Sequence, residues 1–248
     1  MKMNYIQFGN GPRTMLILPG LSVRPVCPLA ESIAAAYEIF CKDFTVYLFD
    51  RREDVPEDYS LEQMADDTEE KIRELGLKNI YLYGVSQGGM IAQIIALKYP
   101  KLIRKLALAS TCSYIEEGTV NKWAEASGKH DLEGLLKGFV SMVYGDAYYE
   151  QHKDAIYAAY GDLSEEEMDH FAILASAVNG FDIRKEADKI NVPVFLTGSR
   201  DDNVIPIALM EESAGLLKAE SYFFEGYSHA VYDEAEELKT RVYDFFMK

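Results

Sequence analysis

Tyr81-Leu82-Tyr83-Gly84-Val85-Ser86-Gln87-Gly88-Gly89-Met90 reads as an apolar strand, a Gly-x-Ser-x-Gly turn and the start of a helix that continues through Ile91, Ile94, Ile95 and Leu97. The turn has a steric logic. A strand that passes directly into a helix forces the apical residue into a strained backbone conformation, and side chains two residues to either side would collide. Gly84 and Gly88 remove those side chains and leave the Ser86 hydroxyl clear of the sheet edge. The helix beneath offers free N–H groups and the positive end of its dipole, which stabilise an oxygen that gains negative charge. Taken alone, Gly-x-Ser-x-Gly also fits a glycine-rich turn in a nucleotide-binding sheet. The first strand-to-helix turn, however, is Leu18-Pro19-Gly20-Leu21-Ser22, which is not the Gly-x-Gly-x-x-Gly of a dinucleotide fold. No Gly-x-x-x-x-Gly-Lys-Ser/Thr sequence occurs either.

Outward from this turn, Thr14–Leu18, Thr45–Phe49 and Lys105–Ala109 join Ile80–Tyr83 as runs rich in Ile, Leu, Val, Tyr and Phe. They lack strict polar alternation, as strands covered on both faces do. Helical patterns separate them. The clearest opens at Ser60 with Gln63 three residues on, a capping box, and carries Leu61, Met64, Ala65, Thr68, Ile72 and Leu75 on one stripe before Gly76. Strand alternating with helix predicts a mostly parallel sheet with helices on both faces. From about Thr111 to Ile190 the pattern is helical and tyrosine-rich, with no convincing strand. Val194–Thr197 and Ser221–Phe224 then read as strands, and a last helix carries Val231, Ala235, Leu238, Val242 and Phe245 on one face. Two strands are too few for a second domain. The chain is therefore expected to be one α/β core with a helical insertion.

The 248 residues suffice for such a core, and the net charge of −16 points away from phosphate backbones and anionic membrane surfaces as partners. Cys27, Cys41 and Cys112 are odd in number and far apart, which indicates neither a disulfide framework nor a zinc cluster. No apolar run approaches a membrane span, and the first residues lack a signal-peptide pattern, so a cytoplasmic location is the default expectation.

An activated serine needs a base, an acid to orient it and donors for the oxyanion. His130, His152 and His170 lie in charged stretches of the insertion, whereas His229 sits in Gly226-Tyr227-Ser228-His229-Ala230, between the last strand and the last helix. That is the sheet edge that also carries Ser86. Gly198-Ser199-Arg200-Asp201-Asp202-Asn203-Val204-Ile205-Pro206 follows a strand and offers two adjacent carboxylates, and the order Ser, Asp, His suits the arrangement. Of the two, Asp201 is taken as the acid, with Asp202 as the alternative. The backbone N–H groups of Gln87, next to the nucleophile, and of Leu21, after Pro19-Gly20, are the expected oxyanion donors.

With these residues in place the chain resembles the α/β-hydrolase superfamily over nearly its whole length: Leu18–Leu21, Phe49-Asp50-Arg51, the elbow Gly84–Gly89, Tyr99–Leu108, Gly198–Pro206 and Gly226–Ala230. Members commonly place the acid in Gly-x-x-Asp followed by an apolar stretch and Pro. Counting three on from Gly198 selects Asp201, and counting back four from Pro206 selects Asp202. Two departures stand out. Pro19-Gly20 replaces the His-Gly of many relatives, and Arg51-Arg52-Glu53-Asp54 replaces an Asp-x-Arg-Gly-x-Gly continuation. A serine nucleophile argues against haloalkane-dehalogenase and epoxide-hydrolase chemistry, and the His-Gly-Gly-Pro-Gly pattern of proline iminopeptidases is absent.

The resemblance implies an α/β-hydrolase core over residues 1–111 and 190–248, with a helical cap over 112–189 covering a small, mainly apolar pocket. Trp123, Phe139, Met142 and Tyr144 are expected among its walls, and Arg24, in the oxyanion loop, is either a partner for a substrate carboxylate or a surface arginine. The implied activity is a serine hydrolase cleaving a carboxylic ester, lactone or thioester through an acyl-enzyme on Ser86, with a small-molecule acyl substrate and neither metal nor organic cofactor. C–C bond hydrolysis, acyl transfer on the same three residues, or ligand binding without turnover are the alternatives.

Overall fold

Strands appear where β-branched and aromatic residues cluster, and helices where apolar residues recur at helical spacing. The computed structural model describes residues 2–116, 118 and 120–248. The six expected strands are β2 (Arg13–Leu18), β3 (Phe44–Arg52), β4 (Ile80–Val85), β5 (Ile103–Ala109), β6 (Val194–Ser199) and β7 (Glu220–Phe224). A further strand, β1 (Met3–Phe8), pairs antiparallel with β3 at one edge, and all other pairings are parallel. The strand order is β1-β3-β2-β4-β5-β6-β7, which puts β4 and its elbow in the middle of the sheet.

The two-residue period of the strands sorts their side chains into two cores. Leu16, Leu18, Leu82, Leu106 and Leu196 enter one, with α2 (Leu61–Glu74), α3 (Gln87–Lys98) and α8 (Ile207–Leu216). Met15, Ile17, Tyr83, Val85, Ala107 and Phe195 enter the other, on the face that also carries α1 (Ala30–Ala36). The expected capping box starts α2: Ser60 Oγ accepts from Gln63 N, Gln63 Oε1 accepts from Ser60 N, and Gly76 follows the helix at φ +66°.

Between β5 and β6 the described residues form four α-helices, α4 (Asn121–Gly128), α5 (Leu132–Tyr144), α6 (Asp146–Tyr160) and α7 (Glu165–Ser176), here called the cap. Its two ends are joined by an antiparallel bridge between Tyr114 and Asp182, so the cap leaves and rejoins the core at one neck. The expected single last helix is two. α9 (Val231–Glu234) stops at Ala235, whose ψ of 100° is extended, and α10 (Glu236–Met247) starts afresh. All five residues of the expected stripe are still buried. For the larger ones, such as Leu238, Val242 and Phe245, burial is worth about 1.5–3 kcal/mol each. Among the described residues no helix is long and apolar enough to cross a membrane.

Candidate active site

Ser86 sits at the apex between β4 and α3 with φ +50° and ψ −121°, a strained backbone for a non-glycine residue. Its backbone is fixed by hydrogen bonds: Ser86 N donates to Ala109 O at 2.9 Å, and Ser86 O accepts from Thr111 Oγ1 at 2.8 Å, Gly89 N at 2.8 Å and Met90 N at 3.2 Å. The elbow glycines are required by space. A methyl on Gly84 would lie 2.6 Å from Gly88 O, and one on Gly88 would fall on the carbonyl oxygens of Leu18 and Pro19.

His229, 3% exposed, lies in the loop between β7 and α9. Its Nε2 is 2.9 Å from Ser86 Oγ. Its Nδ1 faces Asp202, at 2.8 Å from Oδ2 and 3.1 Å from Oδ1. An ionised carboxylate only accepts, so Nδ1 carries the proton and Nε2 is free to accept from the serine. Ser110 Oγ holds the loop by donating to His229 O at 2.9 Å.

The partner of His229 is therefore Asp202, and the expectation for Asp201 is corrected. β6 keeps pairing one residue past Gly198, as Ser199 opposite Phe224. The turn begins a residue later than Gly-x-x-Asp spacing assumes. Asp201 Oδ2 then accepts from Gly226 N at 2.7 Å, whereas Asp202 turns inward and its Oδ1 accepts from Val204 N and Ile205 N at 2.7 and 2.8 Å.

Gln87, the first residue of α3, has an N–H with no intrahelical acceptor, directly beside Ser86. The Gly20–Leu21 turn comes against the same hydroxyl: a methyl on Gly20 would lie 3.2 Å from Ser86 Cβ and 3.8 Å from Oγ. Sequence reasoning missed what sets this turn. Arg51 Nη2 donates to Pro19 O at 2.9 Å and to Gln87 Oε1 at 3.3 Å. Burial pushes the Arg51 guanidinium pKa down, and its Nε is buried without a hydrogen-bond partner. The Gln87 amide in turn donates to Leu174 O of α7 at 2.6 Å, tying the elbow to the cap.

A cavity of about 380 Å³ is bounded by Pro19, Gly20, Leu21 and Val85 from the core, of which Gly20 and Val85 adjoin Ser86, and by α5 and α6 from the cap. Phe139 and Tyr144 line it as expected. Trp123, Met142 and Arg24 do not. Trp123 is 4% exposed and packs edge-on against Phe139 inside the cap, with ring centroids 5.0 Å apart. Met142 offers its carbonyl to Ser228 Oγ at 3.0 Å. Arg24 reaches the cap instead, where its guanidinium clasps Glu167 at 2.9 Å, Asp162 at 2.8 Å and Ala159 O at 2.6 Å. Among the wall residues that the sequence reading passed over are Tyr37, Tyr232 and Asp233, the last four residues after His229. Among the described residues no cluster of His, Cys, Asp and Glu has the makings of a metal site.

A family model described as alpha/beta hydrolase fold matches residues 14–236. The chain belongs to that family. RutD of Rhizobium rhizogenes, whose name marks it as a proposed carbamate hydrolase, is 27% identical over 86% of this chain and 86% of its own length. 3-Oxoadipate enol-lactonase 2 of Acinetobacter baylyi is 21% identical over 83% of this chain and 78% of its own. Among solved structures, the enol-lactonase of Burkholderia xenovorans superposes with a TM-score of 0.85, covering 99% of this chain and 96% of that one at 19% identity. At that identity the likeness speaks for the fold.

Proposed function

We propose that this α/β-hydrolase is a serine hydrolase that cleaves small, mainly apolar ester-type substrates through an acyl-enzyme on Ser86. The observation that carries the reading is the continuous chain Ser86 Oγ, His229 Nε2, His229 Nδ1, Asp202, with contacts of 2.9 and 2.8 Å. His229 takes the Ser86 proton as Oγ attacks the carbonyl carbon, and the oxyanion settles between the N–H groups of Gln87 and Leu21. Collapse of the tetrahedral species expels the leaving group, which receives that proton from His229. Water, deprotonated by His229, then attacks the acyl carbon, the Ser86–acyl bond breaks, and the proton returns to Ser86. Asp202 holds the ring in the reactive tautomer and offsets the charge of the imidazolium. The apolar walls of the cavity support a small hydrophobic acyl or alcohol group. The name of the Acinetobacter relative, an enol-lactonase, supports an ester-type bond.

A fluorophosphonate probe tests this. Intact mass should show one adduct on the wild type and none on Ser86→Ala or His229→Ala. A folded wild-type protein that stays unlabelled would overturn the reading.

A further inference from the structure

Of all the side chains that line the cavity, one bears a carboxyl group: Asp233. It comes from α9, directly after Tyr232, whose ring meets His229 edge-on with centroids 6.0 Å apart. Apart from Ser22 and Gly20 the rest of the wall is apolar or aromatic, and five tyrosines share it: Tyr37, Tyr144, Tyr148, Tyr160 and Tyr232. Tyr144 of the cap donates its hydroxyl to Asp233 Oδ2 at 2.9 Å. Among the described residues no hydrogen bond reaches Oδ1, and no cation pairs with the carboxylate. Lys239, whose charge acts on Asp233 from a distance, donates its ammonium to Tyr232 O at 3.1 Å and lies over the Tyr37 ring. Asp233 lines the cavity and is exposed, yet protein atoms crowd one side of it, and the resulting desolvation raises its carboxyl pKa.

A carboxylate placed this way is partly desolvated. Desolvation penalises the charge, and one tyrosine hydroxyl offsets only part of the loss. A simple latch between cap and core would be served as well by an uncharged acceptor. The arrangement becomes favourable when a cation enters: the free oxygen accepts its N–H groups, and aromatic rings such as those in this wall attract positive charge. A net charge of −16 on the whole chain acts in the same direction, enriching cations and depleting anions near the cavity mouth.

We propose that Asp233 and the surrounding tyrosines form a subsite for a protonated amine, so that the substrates of this enzyme carry an ammonium group. The proposal rests on the serine-hydrolase reading for the word substrate, but the subsite can be read without catalysis. Benzylammonium and benzyl alcohol are near-isosteric probes that differ in charge. Calorimetric titration into Ser86→Ala protein is expected to show benzylammonium binding about ten-fold tighter. Asp233→Asn, which keeps the shape and an acceptor for Tyr144, is expected to bring the two affinities together, with thermal unfolding confirming an intact fold. Tyr144→Phe removes the latch but leaves the carboxylate, so it is expected to keep the preference. Equal binding of the two probes to Ser86→Ala, binding of neither, or a preference that survives Asp233→Asn would overturn the subsite. Fluorophosphonate labelling of the wild type reports separately on the hydrolase. A protein that fails to label yet prefers the ammonium probe loses the hydrolase reading and keeps the subsite, and the converse result does the reverse.

Discussion

Asp201 and Asp202 are neighbours in the chain but face different partners. Asp202 is 8% exposed, with its oxygens shared between His229 Nδ1 and two backbone amides, whereas Asp201 braces the Gly226 turn. Asp202→Asn would present an amide that can donate to Nδ1 and so stabilise the wrong imidazole tautomer. A fall in kcat of about 10³- to 10⁴-fold on p-nitrophenyl acetate is expected, by analogy with the serine-protease triad. Asp201→Asn keeps an acceptor for Gly226 and should stay within about three-fold of wild type, as a surface change away from the chemistry does. The reverse ranking would return the acid to Asp201. Arg51 invites a second test. Its guanidinium anchors Pro19 O and Gln87 Oε1, one on each side of the proposed oxyanion site. Arg51→Met should lower kcat roughly 10- to 100-fold with KM little changed, because the loss falls on donor placement in the transition state. Affinity for a boronic acid that mimics the tetrahedral adduct should fall in step, and Arg51→Lys should recover part of both. A change confined to KM would remove Arg51 from this positioning role.

The elements show where the chain is readable and where it is not. β4, the elbow and α3 are legible because a local steric demand writes itself into fixed residues, Gly84, Ser86 and Gly88. β2, β3, β5 and β6 are legible because each buries an apolar run, and β7, of which only Phe224 is buried, because it clusters Tyr222, Phe223 and Phe224. β1 is missed for the opposite reason. It is an edge strand whose Asn4 and Gln7 lie among apolar residues, and its pairing with β3 is a long-range choice that no local pattern announces. The acid is misjudged because register is also non-local: only the pairing of Ser199 with Phe224 shows that the turn starts late. Arg24 and Trp123 look like pocket residues because sequence shows their chemistry and not their neighbours, a cap clasp and a cap core. The legible part is also the most demanding. A methyl at Gly88 meets backbone of β2 and of the oxyanion loop, which cannot rotate away as a side chain would. Gly88→Ala is expected to cost about 1–3 kcal/mol, a drop of roughly 3–10 °C in Tm. Thermal unfolding beside Gly215→Ala, a position with nothing within 4 Å of the new methyl, checks it. Equal shifts in the two variants would mean that the elbow relaxes easily.

At the scale of the whole molecule, charge is the property that composition alone sets. The chain carries 41 Asp and Glu against 25 Lys and Arg. Many ion pairs, such as Lys2–Glu53, Lys129–Glu125 and Lys248–Glu220, join side chains that are largely exposed. Pairs of that kind contribute little and are weakened by salt. The surplus of negative charge works against the fold over longer distances, since unfolding moves like charges apart. Salt therefore has two opposed effects, and their balance depends on range. Screening shortens the Debye length from about 30 Å at 0.01 M to about 3 Å at 1 M. That span removes repulsion between separated carboxylates, while a pair in contact loses a smaller fraction of its attraction. Raising NaCl from 10 mM to 500 mM at neutral pH is accordingly expected to raise Tm by roughly 2–6 °C, equivalent to about 1–2 kcal/mol for a chain of this size. Chloride is the anion of choice, because sulfate also strengthens burial by exclusion from the protein surface. A Tm that falls with NaCl would show that the ion pairs outweigh the net charge. In that case the same surplus could not be invoked to draw an ammonium group toward Asp233, and the subsite would have to attract its cation through Asp233 and the tyrosines alone.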